Sequence, residues 1–484
     1  MEIASPPVRT TNEHELKLTA PEGFESVKGL GEPIEDRSFT TTYYDTPERA
    51  LARAGVTLRR RLENGKNLWQ LKLPAQGFRR ELELPGASGK PPRALADALL
   101  ALVRGERLEQ AAKLKTRRAG VRVRENGRDE AEIVIDSVSV MDNGRVESTF
   151  REIEVELLDG DPALLDRIGK MLRQKGALVS DGRPKLFRAL GIASTPPSAA
   201  KPKDAPLLHV AAMLEQRRRE ILSHDPGVRI GGEPEDVHQL RVAVRRSRAV
   251  LRAARPLLDR SATEPIRAEL EWLGDLLGPV RDLDVLLAGL EERLATLPEE
   301  DRFAAKRIVQ SLSAERELAR ARLLEALESE RYFALLDRLG RLGAEPPAGE
   351  KDKPLEKLGA LQFKRLKAGV AKLDDDPTDA QLHRVRVLAK RARYTAELAE
   401  ATVGKPATRF IEQAKELQDV LGEHQDAVVA SRRIQEALAS VRGSRVAFAA
   451  GRLVEAQAQR RLQARAAFPA AWKKLEKQGR RTWK

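Results

Sequence analysis

Glu13-His14-Glu15-Leu16-Lys17 is the stretch whose reading decides the fold of the first half of this chain. In an extended strand successive side chains alternate, so Glu13, Glu15 and Lys17 point to one face while His14, Leu16 and Leu18 point to the other. Two carboxylates and an ammonium on one face suit a site that holds a divalent metal and a polyanion together. Carboxylates are hard oxygen ligands for Mg²⁺ or Mn²⁺, and a lysine meets phosphate oxygens as a point charge. A solvated strand face shows the same alternation, so five residues settle nothing by themselves.

Period-two patterning continues outward to about Leu190. Strands are expected over residues 13–19, 39–45, 56–63, 68–73, 79–84, 117–125, 130–140 and 148–157, with helices over 91–105 and 162–175. Asn64-Gly65, Asn126-Gly127 and Asn143-Gly144 read as tight turns between strands. Arg59 and Arg61 share a face, as do Glu81 and Glu83, Glu132 and Asp136, and the trio Glu152, Glu154 and Glu156. Lys72 lies on the strand between the arginines and the Glu81 pair. Ile133, Ile135, Ile153, Val155 and Leu157 take the opposite faces. A sandwich would expose these charges, whereas a barrel would turn them inward around a wet channel. Patterning leaves both open.

Composition sets outer bounds. A chain of 484 residues exceeds what one core serves, so two or three domains are expected. The net charge of +14 calls for an anionic partner. The absence of cysteine excludes disulfides and thiolate metal sites. Residues 1–12 lack an apolar signal core and no apolar run is long enough to span a bilayer, so a soluble, cytoplasmic protein without a membrane partner is expected.

Residues 192–206, rich in Pro, Ala, Ser and Lys, read as a linker, after which 3.6-residue periodicity takes over. This half repeats itself. His238, Arg241, Arg245 and Arg248 recur as His383, Arg386, Lys390 and Arg393, a separation of 145 residues (238 to 383). Each set lies on one helix face, beside the apolar stripes Val237, Leu240, Val244, Leu251 and Leu382, Val385, Ala389. A repeat this long is two copies of a bundle, with the boundary in the Pro- and Gly-containing stretch 343–354. His238, His383 and His424, joined by Asp282 and Asp426, form a rival metal set, but guanidinium neighbours would repel a cation. Asp282 and Asp426 are better read as braces for the arginines.

The first half resembles the CYTH family, the triphosphate tunnel metalloenzymes. Glu13 to Lys17 is similar to its ExExK signature, and further matches follow in the family's order: Tyr44-Asp45-Thr46-Pro47, Leu58-Arg59-Arg60-Arg61, Gln70-Leu71-Lys72, Arg80-Glu81-Leu82-Glu83, Glu132 to Asp136, and Glu152 to Glu156. Two departures stand out: Pro184-Lys185 replaces a late Ser-Lys, and no aromatic follows Arg118. The resemblance implies an antiparallel barrel of about eight strands around a charged tunnel. It also implies metal-dependent hydrolysis of a triphosphate, with Glu13, Glu15, Asp136, Glu152, Glu154 and Glu156 as the Mg²⁺ or Mn²⁺ ligand set. Glu13, Glu15 and Lys17 would form the catalytic core, and Lys17, Arg59, Arg61, Lys72, Arg118 and Lys185 would cradle phosphate. Family members also cyclise ATP or hydrolyse thiamine triphosphate. Local aromatics are few (Tyr43, Tyr44, Trp69, Phe78), so inorganic triphosphate is the expected substrate.

The second half resembles the CHAD family through His238–Arg246, Leu277–Val285 and His383–Tyr394. The resemblance implies inorganic polyphosphate bound by His238, Arg241, Arg245, Arg248, His383, Arg386, Lys390 and Arg393 across an internal dyad, with polyphosphate granules as a destination. Nucleic acid is disfavoured, because single-strand binders interleave aromatics with their cations. The expected class is therefore α+β in two domains. Residues 1–191 form an antiparallel β-barrel, 192–205 a linker, and 206–484 a duplicated all-α bundle with copies at about 206–345 and 354–484. A non-catalytic polyphosphate scaffold is the alternative to the enzyme.

Overall fold

The computed structural model describes residues 9–24, 27, 29–74, 78–86, 89–125, 127–180, 183–192, 200–231, 233–296, 298–349, 353–440 and 443–483. Two compact units result, Met1–Pro196 with Asp225–Gly232 and Pro197–His224 with Glu233–Lys484. Of the expected linker, residues 193–199 lie outside the described residues, as does Asn126 of one expected turn.

The first unit is an antiparallel sheet of 11 strands. They are β1 (Arg9–Glu13), β2 (Glu15–Thr19), β3 (Glu32–Pro33), β4 (Arg37–Asp45), β5 (Thr57–Glu63) and β6 (Lys66–Pro74). Then come β7 (Arg79–Pro85), β8 (Glu109–Glu125), β9 (Arg128–Asp142), β10 (Arg145–Leu157) and β11 (Leu178–Val179). Helices α1 (Ala50–Arg53), α2 (Arg93–Ala98), α3 (Leu100–Val103), α4 (Ala163–Gln174) and α5 (Lys185–Ala189) are interspersed. The order is β1-β7-β6-β5-β4-β8-β9-β10-β2-β11, with β3 on β8.

This ladder of hydrogen bonds does not close, which corrects the expected barrel. The single strand expected over 13–19 breaks at His14. On one side of the break Glu13 pairs with Arg79 of β7; on the other, Glu15 pairs with Glu156 of β10. One run of chain thus changes partner, as stagger between tilted strands requires, and joins the β1 end of the ladder covalently to β2, the last strand but one at the other end.

Two of the three expected Asn-Gly turns lie wholly within the described residues and form as the sequence predicts. Asn64 and Gly65 have φ of 49° and 75°, Asn143 and Gly144 of 47° and 83°. Two successive positive φ values match the twist of the strands they join, β5 to β6 and β9 to β10. Strand β8 runs 17 residues, well beyond the expected 117–125. Its first half alternates exposed Lys113, Lys115 and Arg117 with buried Leu114 and Thr116, too polar a pattern to stand out as a strand. The expected helix over 91–105 is two short ones. Lys185 opens a helix, with Pro184 as its N-cap residue in an extended conformation.

The faces sort as a barrel requires. Ile133, Ile135, Ile153 and Val155 pack with Leu164, Ile168 and Leu172 of α4 in one buried cluster. The apolar faces of β9 and β10 therefore face a helix outside the sheet, and the charged faces are left to the interior.

Every later element is a helix: α6 (Pro206–Ile230), α7 (Pro234–Ala253), α8 (Arg260–Leu294), α9 (Glu299–Leu327) and α10 (Glu330–Ala344). Helices α11 (Leu355–Val370), α12 (Asp379–Val403), α13 (Lys405–Ser440) and α14 (Ser444–Thr482) complete the chain. The starts of α7 and α12, α8 and α13, and α9 and α14 are each 145 residues apart (234 to 379, 260 to 405, 299 to 444). Both stripes anticipated from the repeat are buried. Helix α12 begins on a capping box in which Thr378 and Gln381 satisfy each other's backbone, and it packs against α7.

Candidate functional site

Strand alternation sends alternate side chains from parts of β1, β2 and β4–β10 into one interior cavity of about 270 Å³. Cations on its wall include Lys17, Arg59, Arg61, Lys72, Arg118 and Lys185; carboxylates include Glu13, Glu81, Glu83, Glu132, Glu154 and Glu156. Of the expected site residues, Glu13, Lys17, Arg59, Arg61, Lys72, Arg118, Glu154, Glu156 and Lys185 line it, whereas Glu15, Asp136 and Glu152 do not, though each is ion-paired to a cation that does. Trp69 and Tyr44 stack on each other with centroids 4.9 Å apart, and neither lines the cavity.

The two signs are interleaved. Lys72 Nζ donates to Glu13 Oε1 at 2.7 Å, and Lys17 Nζ donates to Glu154 at 2.8 Å with Glu15 at 3.2 Å. Arg118 binds both oxygens of Asp136, at 2.8 and 2.7 Å, and Glu154 at 2.7 Å. Lys185 reaches Asp136, Glu152 and Glu154 at 2.7, 2.8 and 2.9 Å. Arg59 binds Gln70 at 2.8 Å and approaches Glu81 at 3.4 Å. Arg61 lies over the Phe39 ring, 3.7 Å from its centroid.

Titration follows from this arrangement. Burial works against the charge on Glu154, but Lys17, Lys185 and Arg118 outweigh it and hold the carboxyl well below its usual range. Asp136 is held low in the same way by Lys185 and Arg118. Lys185 and Lys17 are raised against burial by these same carboxylates. Glu156 behaves oppositely: burial first, then Glu13, push it up to about 7. The Glu156 end of the cavity is short of positive charge.

One acid group among the described residues has both the donor chemistry and the spacing for a hard divalent ion. Asp136, Glu152 and Glu154 offer oxygens within 4.8 Å of one another, a cluster that could hold a metal ion. The Lys185 ammonium already bonds to all three. Glu13, Glu15 and Glu156 do not converge so closely, but Glu15 and Glu156 stand directly opposite each other in the β2–β10 register. Here the charge deficit at Glu156 fits a cation.

Sequence reading missed Arg37, which lines the cavity and binds Glu132 at 2.8 Å. The signal was present: Arg37, Phe39, Thr41 and Tyr43 are a period-two series on β4, begun one step before the expected strand.

In the helical half, Arg241 is braced by Asp282 at 3.3 Å, as expected. Arg245, Arg248, His383 and Lys390 line a cleft of about 730 Å³, while His238, Arg241, Arg386 and Arg393 lie outside its lining. The histidines do not converge on a metal: His383 bonds to Gln425 at 2.8 Å and buried His424 to Asp379 at 3.0 Å. Arg245, Arg386 and Lys390 form no ion pair within 4.0 Å among the described residues. Burial, reinforced by Arg386, Arg245, Arg241 and Arg393, pushes Lys390 down to about 7. A nearby anion would relieve this crowding of like charge.

Comparison with known proteins matches this division. The family model described as CYTH domain fits residues 11–182, and the one described as CHAD domain fits residues 212–435. An uncharacterized protein of Mycobacterium tuberculosis is 33% identical over 494 residues, covering 96% of this chain and 95% of that protein. Among solved structures, the chain is similar to the CHAD domain of the plant Ricinus communis (27% identity, TM-score 0.45, 58% of this chain and 96% of that one). It is also similar to a putative adenylate cyclase from Bacillus halodurans (17% identity, TM-score 0.30, 37% and 97%).

Proposed function

The chain belongs to the family of proteins that join a CYTH domain to a CHAD domain, and from this we propose that it is a metal-dependent triphosphatase cleaving inorganic triphosphate to pyrophosphate and phosphate. The observation that carries the reading is the interior cavity, where cations and carboxylates from nine strands meet around a volume of about 270 Å³. Arg59, Arg61, Lys72 and Lys17 are the cations placed to bind phosphate oxygens. Arg118 and Lys185, which both engage the fully buried Asp136, fix the acids in position. Glu13, Glu15 and Glu156, with Glu154 beside them, would hold Mg²⁺ or Mn²⁺. Such an ion, when bound, neutralises phosphoryl charge and acidifies water. Positioning and electrostatics supply most of the rate in phosphoryl transfer, and a preorganised cavity of this kind supplies both. The two aromatics on the wall, Phe39 and Tyr43, are buried and Arg61 already covers the Phe39 ring, which favours the inorganic chain over nucleoside or thiamine triphosphates.

Phosphate release from triphosphate, ATP and thiamine triphosphate, each with and without Mg²⁺ or Mn²⁺, tests this. Release that is fastest with inorganic triphosphate and needs metal is expected. No release above background with any substrate leaves the scaffold reading in possession.

The helical half is read as a binder of inorganic polyphosphate that brings the protein to granules or supplies chain ends. The unpaired cations of α7 and α12 support this. The logarithm of affinity should fall linearly with the logarithm of salt concentration, because binding releases counterions. Duplex DNA should displace labelled polyphosphate poorly; efficient displacement at moderate salt would favour nucleic acid. Affinity should also fall as pH rises through about 7. Above that point free Lys390 is largely neutral, against an ordinary value of 10.5, so a bound polyanion must draw in a proton. Below it the ammonium is already charged and this dependence vanishes. Polyphosphate titrations at pH 6 to 9 should show the bend, and Lys390→Arg should remove it.

A further inference from the structure

The cleft of about 730 Å³ in the helical half has walls from α7 and α12, the same face of the two copies. At the repeat spacing Arg245 corresponds to Lys390 and Ala249 to Tyr394, and all four residues line the cleft. A dyad would hold a linear anion equally from both sides. The pair Ala249 and Tyr394 breaks that equality, with a methyl on one wall and a phenol on the other.

Tyr394 is 5% exposed, and its hydroxyl has no hydrogen-bond partner among the described residues. A buried unpartnered hydroxyl is costly and rare, and it calls for an explanation. The Arg393 guanidinium lies over the ring, 4.8 Å from its centroid. The Nε atoms of Arg245 and Arg391, which also line the cleft, are likewise buried and unpartnered. Guanidinium groups only donate, so the ligand that would satisfy them is an acceptor with several oxygens. The carboxylates on the cleft wall are Glu271, engaged by Arg248 at 2.5 Å, and Asp275.

We propose that Tyr394 is a ligand-binding residue of this cleft, its hydroxyl donating to an oxygen of bound polyphosphate, so that the chain lies against the second-copy wall with Ala249 leaving room for it. This rests on the polyphosphate reading above and adds a neutral donor and a sidedness to it. A hydrogen bond to a charged oxygen is among the stronger kinds.

The test uses the full chain and labelled inorganic polyphosphate titrated at several salt concentrations, with Tyr394→Phe and Lys390→Gln as variants. Tyr394→Phe should bind about tenfold more weakly, the usual effect of losing a hydrogen bond to an ion. Its salt slope should match the parent's because no charge is lost. Its Tm without ligand should be unchanged or higher, because an unpartnered buried hydroxyl has been removed. Lys390→Gln should flatten the slope by about 0.7, as for a charge removed from a single-strand binder. Affinity of Tyr394→Phe within about twofold of the parent overturns the proposal, by the same hydrogen-bond scale. So does a fall in Tm alongside the loss of affinity, which would mark a structural residue. No binding by the parent chain overturns the polyphosphate reading as well.

Discussion

Glu13→Ala is expected to slow metal-dependent phosphate release from triphosphate by about a hundredfold or more, the scale seen when one preorganised polar contact is lost from an active site. Glu13 ends β1, where the chain changes partner, and its carboxylate both engages Lys72 at 2.7 Å and helps push Glu156 up. Its removal takes one oxygen ligand from the proposed metal group and frees Lys72 from its nearest counter-charge. The fall should appear in kcat at saturating triphosphate, and extra metal should restore part of it if the loss is one of metal affinity. A variant as fast as the parent at every metal concentration would dismiss Glu13 from the chemistry.

Arg118→Met is expected to cost about 3–5 kcal/mol of stability, the range for breaking a buried ion pair from one side. Asp136 is completely buried and Glu154 nearly so, and Arg118 gives three hydrogen bonds to the two. Without it Asp136 is left to Lys185, and Glu154 to Lys185 and Lys17. Denaturant unfolding of the full chain, read on the transition lost first, measures the cost. Adding Asp136→Asn should recover part of it, because the charge left unpaired is then gone. The pH dependence has a definite sign. Asp136 and Glu154 titrate lower when folded than at their ordinary values of 3.8 and 4.5. Their contribution is therefore complete above those values and fades as pH falls through the lower folded ones. Equal stability of Arg118→Met and parent at neutral pH would mean the network is redundant.

The site residues on strands were legible in the sequence because period two is an exact rule for a strand: once β10 is recognised, Glu152, Glu154 and Glu156 must share a face. The helical repeat was legible for the same reason, as His238 and His383 stand in register. What sequence could not convey was which partner each strand would take. Nothing in Glu13 to Lys17 announces that the segment is shared between β7 and β10, since pairing is decided by the stagger of the whole sheet. Nor did Lys185 reveal that it would bind three carboxylates, because its own residues read only as the end of a motif. The Ala249–Tyr394 pair was visible in the alignment of the copies. Its meaning needed the buried hydroxyl.

The break at His14 carries one more consequence. Glu13 and Glu15 belong to strands with different neighbours, yet three consecutive residues span no more than about 7 Å between their outer α-carbons. The chain acts as a caliper, setting the bite of the two acids by bond lengths rather than by the strength of any packing. Warming can loosen the neighbouring ribbons before it alters that spacing.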